Sequence, residues 1–90
     1  MYTFTIKTFK DLTVEELYNI LQLREAVFVI EQNCVYQDID GIDESCYHLF
    51  TQDQGKLIAY ARLVPKNFKF DTPSIGRVIC LKNYRGKGLG

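Results

Sequence analysis

Ninety residues hold one small domain with one core, and a chain of that length buries only roughly 60 to 65% of its unfolded surface. An apolar content of 47%, with six Tyr and six Phe, excludes a disordered chain. Eleven basic and eleven acidic residues cancel, which excludes the broad basic field of a general nucleic-acid or membrane-surface binder.

The charge is unevenly placed. Glu31, Asp38, Asp40, Asp43 and Glu44 carry acid with no intervening base, whereas Lys82, Arg85 and Lys87 carry base with no acid after them. An anion would go to that basic tail. Cys34, Cys46 and Cys80 are widely spaced and form no C-x-x-C pair, so neither a disulfide framework nor a zinc site is expected. Met1-Tyr2-Thr3-Phe4-Thr5 lacks the basic and apolar regions of a leader, and no run approaches the roughly 18 apolar residues of a membrane span. These features together predict reduced thiols and a cytoplasmic location.

In chain order, Tyr2 to Phe9 alternates Tyr2, Phe4 and Ile6 with Thr3, Thr5 and Lys7, the period of a half-buried strand. Thr13-Val14-Glu15-Glu16 reads as a capping box that opens a helix, with Leu12 and Leu17 at the staple positions. Leu17, Ile20, Leu21, Val27 and Phe28 then form an inward stripe. Arg24 interrupts that stripe.

A polar loop runs from Asn33 to Ser45. Tyr47 to Thr51, the turn Asp53-Gln54-Gly55 and the run Leu57 to Val64 predict an antiparallel hairpin, closed by Pro65. Ser74 to Leu81 is rich in Val and Ile and predicts a further strand, with Gly76 marking a bulge or a close backbone approach. The expected fold class is α/β (α+β), a mixed, mostly antiparallel sheet with one or two helices packed on it.

The chemistry concentrates in Arg85-Gly86-Lys87-Gly88-Leu89-Gly90, directly after that strand. Glycines let consecutive backbone N–H groups converge on an anion without an obstructing Cβ, and Arg85 and Lys87 add charge. A glycine-rich end alone equally describes a flexible linker; strand, helix, hairpin and strand preceding it make the pattern specific. In that order, Arg85-x-x-Gly88-x-Gly90 resembles the acetyl-CoA signature of the GNAT superfamily of N-acetyltransferases. Leu23 to Gln32, Tyr36 to Gly41, Ala59 to Arg62 and Ile75 to Val78 further resemble its ElaA-like branch, so residues 1–90 read as a single partial domain, the N-terminal half of that fold.

The resemblance implies that Val78, Ile79 and Cys80 lend their backbone to the pantetheine arm of acetyl-CoA like an added strand. It implies that the amides of Gly86, Lys87, Gly88, Leu89 and Gly90, with Arg85 beside them, hold the pyrophosphate. The implied reaction moves acetyl from acetyl-CoA to a primary amine of a small molecule or a protein by direct attack. The charge balance, the lack of a long apolar run and the cysteine spacing predict no nucleic-acid, membrane or metal partner. In the family, the loop leads into a long helix, a splayed strand and a Tyr or Cys that protonates the CoA thiolate. Those parts have no counterpart in these residues, so no general acid is named. The final strand would present an open edge, and self-association through it is expected. A noncatalytic module binding an acyl-CoA, another phosphate ligand or a partner protein is the alternative.

Four residues have competing readings. His48, the sole histidine, could be a base for the amine, but no nucleophile or metal partner is near it in sequence, which favours a strand residue satisfied by a neighbour. Arg24 is expected to fasten the acidic loop over the helix by an ion pair rather than to face substrate. Asp38 to Asp43 departs from a calcium loop in placing its glycine fourth rather than sixth; an acidic mouth for a cationic amine competes with a solvated loop. Cys80 is expected to be a small buried hydrophobe rather than a nucleophile.

Overall fold

The computed structural model describes residues 3–33, 37–66, 73–81 and 84. Four strands, β1 (Thr5–Thr8), β2 (Tyr47–Asp53), β3 (Lys56–Val64) and β4 (Ser74–Cys80), lie in the order β1-β2-β3-β4, each antiparallel to its neighbour. One helix, α1 (Val14–Arg24), covers one face and continues as a π-helical turn over Glu25–Glu31. The expected mixed sheet is therefore wholly antiparallel among the described residues.

Local chemistry starts α1 as the sequence predicts. Thr13 Oγ1 accepts from the Glu16 N–H at 3.0 Å, and the Glu16 carboxylate accepts from the Thr13 N–H at 2.9 Å. Each orphan N–H of the first turn so satisfied is worth about 1 kcal/mol. Glu16 also accepts from Lys7 Nζ of β1 at 3.0 Å, which ties the helix start to the sheet. The backbone bond from Thr13, together with Lys7, holds the Glu16 carboxyl below the usual range despite some desolvation.

The β2–β3 hairpin turns on Gln54 and Gly55, both with positive φ (52° and 81°). This is the two-residue loop whose twist matches that of the flanking strands. Ile20 and Val27 of the helix pack on Phe50, Leu57, Tyr60 and Ile79 of the sheet, and Leu12, Leu23, Phe28 and Leu81 close the margins. Each such fully buried apolar side chain contributes about 1.5 to 3 kcal/mol.

Two expectations need correction. β1 turns Lys7, not its apolar residues, toward the helix: Lys7 pairs with His48 on the covered face, so Ile6 pairs with Leu49 on the opposite face and remains 55% exposed. The alternation is real, but pairing register decides which set is covered. The bulge expected at Gly76 falls one residue later. Tyr60 pairs with Ile79 and Arg62 with Gly76, so Arg77 and Val78 together oppose Ala61, and Arg77 rather than the glycine takes the left-handed backbone, at φ 52°. No helix among the described residues is long and apolar enough to cross a membrane.

Candidate functional site

Strand β4 carries the predicted donor-binding backbone. Val78 is 64% exposed, Ile79 is buried in the core, and Cys80 is half-buried where full burial was expected. The Leu81 N–H donates to the Ile58 carbonyl at 2.9 Å. In an antiparallel ladder alternate residues bond to the same neighbour, so Leu81 and Ile79 spend their backbone groups on β3 and Cys80 turns its N–H and C=O to the other side. Among the described residues that other side is a sheet edge.

Just beyond, Tyr84 donates its N–H to the Leu81 carbonyl at 2.8 Å and its hydroxyl to Asp53 Oδ2 at 2.8 Å. The chain is thereby fastened to the hairpin tip one residue before Arg85. The expected pyrophosphate residues Arg85, Gly86, Lys87, Gly88, Leu89 and Gly90 lie outside the described residues.

Beside β4 the acidic loop closes over three arginines. Arg24 donates from Nε to Asp38 Oδ2 at 2.9 Å, from Nη1 to Asp43 Oδ1 at 2.9 Å and from Nη2 to the Asp38 carbonyl at 2.6 Å. Arg62 grips Asp40 with both Nη atoms at 2.9 Å and reaches Asp43 Oδ1 at 3.0 Å. Arg77 donates to Asp38 Oδ1 at 2.7 Å, to the Asp38 carbonyl at 3.1 Å and to Asp40 Oδ2 at 3.3 Å. The Arg24 guanidinium also lies 6.0 Å from the Tyr60 ring centroid, within cation–π range.

Three arginines thus meet three aspartates, and the loop is a neutral lock rather than an open acidic mouth. Arg24 has no exposed surface and does fasten the loop over the helix. The parts of Arg62 and Arg77 in this lock were missed by the sequence reading. A usable signal existed: each sits inside an apolar strand run, where an unpaired charge is too costly to keep.

His48 is also fully buried, with both ring nitrogens engaged. Nε2 lies 2.9 Å from the Asp43 carbonyl, which can only accept, so Nε2 carries the proton and Nδ1 accepts from the Tyr60 hydroxyl at 2.7 Å. This is the strand residue satisfied by neighbours, not a base open to an amine. Burial pushes its pKa below the usual histidine value, and the charges of Arg24 and Arg62 push the same way, against the bond to Asp43. Burial raises the Asp40 carboxyl, but the Arg62 fork, the Ile42 N–H and the charges of Arg62 and Arg77 together outweigh it and bring it to about 2.

Both shifts have the same sign for stability. A folded-state pKa below the unfolded value means that the unfolded chain binds the proton first, so stability is full above the unfolded value and falls as pH drops toward the folded one. Urea denaturation across pH is expected to show loss beginning below about 6.5 as His48 must charge. A further loss of about 2 kcal/mol is expected between pH 3.8 and about 2 as Asp40 is protonated. A flat profile from pH 7 to about 2 would contradict both assignments.

Between α1 and the loop, Tyr18, Leu21, Gln22, Glu25, Val29, Gln37, Asp38 and Ile39 line an open cavity of about 540 Å³. It shares Asp38 with the Arg77 contact on β4.

The comparisons agree with this architecture. Residues 11–90 match the model of the Acetyltransferase (GNAT) family. The chain is 48% identical over 84 residues to a UPF0039 protein of Synechocystis, covering 91% of this chain and 54% of that protein. It is 45% identical over 82 residues to the protein ElaA of Escherichia coli, covering 89% and 54%. It superposes with a TM-score of 0.92 and 43% identity on the crystal structure of an acyl-CoA N-acyltransferase from Pseudomonas aeruginosa, covering 100% of this chain and 62% of that one. On the crystal structure of Escherichia coli ElaA the TM-score is 0.87 at 42% identity, covering 96% and 60%. The chain spans about half the length of the curated relatives it matches. A capped helix over an antiparallel sheet, a strand leading toward a basic glycine-rich segment and these matches place the chain in the acetyltransferase (GNAT) family, in its ElaA-like branch.

Proposed function

We propose that these residues supply the donor-binding part of an N-acetyltransferase that moves acetyl from acetyl-CoA to a primary amine. The observation that carries this reading is β4: among the described residues an edge strand, whose Cys80 backbone is turned away from β3, followed by an anchored Tyr84 and then Arg85-x-x-Gly88-x-Gly90. Pantetheine carries two amides and can pair with such an edge as a short peptide would, along Val78, Ile79 and Cys80. The amides of Gly86 to Gly90 would hold the pyrophosphate, with Arg85 and Lys87 adding charge.

In the reaction the neutral amine nitrogen attacks the thioester carbonyl, an N–C bond forms as the C–S bond breaks, and the proton the nitrogen loses balances the one the CoA thiolate takes up, leaving an amide and the CoA thiol. His48 takes no part, since both its nitrogens are occupied in the core. The cavity beside Asp38 suits an amine with a partly apolar body: Leu21, Val29 and Ile39 supply apolar wall beside Gln22 and Gln37, and the exposed Glu25 supplies a carboxylate that the arginine lock does not neutralise. The location that fits such a chain is the cytoplasm, where acetyl-CoA and reduced thiols coexist.

Calorimetric titration with acetyl-CoA is the test. Saturable binding that CoA competes for, and that desulfo-pantetheine fragments lacking the pyrophosphate do not, is expected. Absence of heat and of competition at millimolar acetyl-CoA would overturn the reading.

A further inference from the structure

Arg77 stands in a backbone conformation that non-glycine residues seldom adopt, φ 52°, in the middle of an otherwise regular strand. Something outside the strand must hold it there. The shortest contacts that do so run to Asp38 of the acidic loop, with a longer one to Asp40 Oδ2 at 3.3 Å. Arg77 donates to Asp38 Oδ1 at 2.7 Å and to the Asp38 carbonyl at 3.1 Å. From the other side Arg24 donates to Asp38 Oδ2 at 2.9 Å and to the same carbonyl at 2.6 Å. Asp38 is thus gripped twice, by the last residue of α1 and by the bulge of β4, and its side chain is only 9% exposed.

The bulge consists of Arg77 and Val78, and Arg77 lies three residues before Cys80. A bulge adds a residue on one strand only, bends that strand and re-aims the residues after it. The orientation of Val78 and Cys80 on the side of β4 away from β3 therefore depends on whether Arg77 keeps its left-handed backbone.

Resting on the donor reading above, we infer that Asp38 and Arg77 are positioning residues for the acyl donor. Their ion pair holds the β4 bulge, and the bulge sets the aim of the edge that pairs with pantetheine. Neither side chain touches the donor; the loop acts on it through the strand. Because Asp38 also lines the cavity beside Glu25, one side chain spans the donor strand and the wall of that cavity.

Glycine and alanine at position 77 separate the parts of this idea. Both remove the guanidinium, but only glycine tolerates the left-handed backbone without penalty. Amide chemical shifts and hydrogen exchange of Val78, Ile79 and Cys80, measured without ligand, report the bulge; acetyl-CoA titration reports its consequence. Arg77→Ala is expected to move the β4 amides and weaken acetyl-CoA by about tenfold, the scale set by a single unfavourable left-handed residue. Arg77→Gly is expected to lie closer to the unaltered chain in both readouts, and Arg77→Lys, which keeps one bond to Asp38, between the two.

Asp38→Asn keeps the shape of the loop while weakening both grips, so it serves where Asp38→Ala fails to fold. It is expected to move the same amides. Unmoved amides and unchanged affinity in Arg77→Ala would overturn the inference, as would equal weakening in the alanine and glycine variants. No acetyl-CoA binding by the unaltered chain would overturn the donor reading and, with it, the donor role of the pair. That failure is told apart from failure of the clamp, because the amide shifts report the bulge with no ligand present.

Discussion

Arg24→Ala is expected to destabilise the protein by about 3 to 5 kcal/mol, the range for removing one partner of a buried, hydrogen-bonded ion pair. The reason is what remains rather than what is lost. Asp38 and Asp43 would stay buried at 9% side-chain exposure, each short of a donor. The space now filled by the buried Arg24 side chain, whose guanidinium lies over the Tyr60 ring, would be vacated. Against the 5 to 15 kcal/mol that holds a typical domain folded, this is a large fraction.

Urea denaturation at pH 7 measures the effect. Arg24→Lys, which keeps the charge but not the fork, is expected to fall between alanine and the unaltered chain. A loss under about 1 kcal/mol for Arg24→Ala, the scale of an exposed pair, would show that the lock contributes no more than a surface salt bridge.

The second large effect is on binding. Under the proposed function, Gly88→Val is expected to weaken acetyl-CoA by on the order of 100-fold or more. Gly88 is the central glycine of Arg85-x-x-Gly88-x-Gly90. A branched Cβ there obstructs the approach of an anion to consecutive backbone N–H groups and disfavours any positive φ. Losing two charge-assisted hydrogen bonds of about 1.5 to 3 kcal/mol each accounts for that magnitude.

Thermal stability separates this effect from unfolding. The core residues Ile20, Val27, Phe50, Leu57, Tyr60 and Ile79 all precede Gly88 in the chain and pack among themselves, so the melting temperature is expected to stay within a few degrees. Lys87→Ala, which removes one side-chain charge and no backbone donor, should weaken binding less. Acetyl-CoA affinity of Gly88→Val within threefold of the unaltered chain would remove the assignment of the pyrophosphate to this segment.

Much of the fold was legible because its cues act over short sequence distances. Thr13 and Glu16 are three residues apart and cap α1 in any context that lets a helix form there. Gln54-Gly55 turns the β2–β3 hairpin by its own backbone preferences, and Pro65 stops β3 after Val64. The basic glycine-rich end, its place after a Val/Ile-rich strand and the likeness to one acetyltransferase branch could likewise be read directly. The pairing of Arg24 with the acidic loop was also legible, since a charge on an apolar stripe must find a partner.

What the sequence could not decide is which distant groups meet. Arg62 reaches Asp43 across 19 residues and Arg77 reaches Asp38 across 39, and those contacts turn an apparent acidic mouth into a neutral lock. The covered face of β1 was equally out of reach. A strand alternates whatever its surroundings, and only the pairing of Lys7 with His48 determines that Ile6 faces outward. The bulge obeys the same logic: glycine tolerates a left-handed backbone most readily, yet Gly76 does not take it. Arg77 does, because its guanidinium finds Asp38 in the folded chain, and that contact exists only once helix, loop and strand have come together.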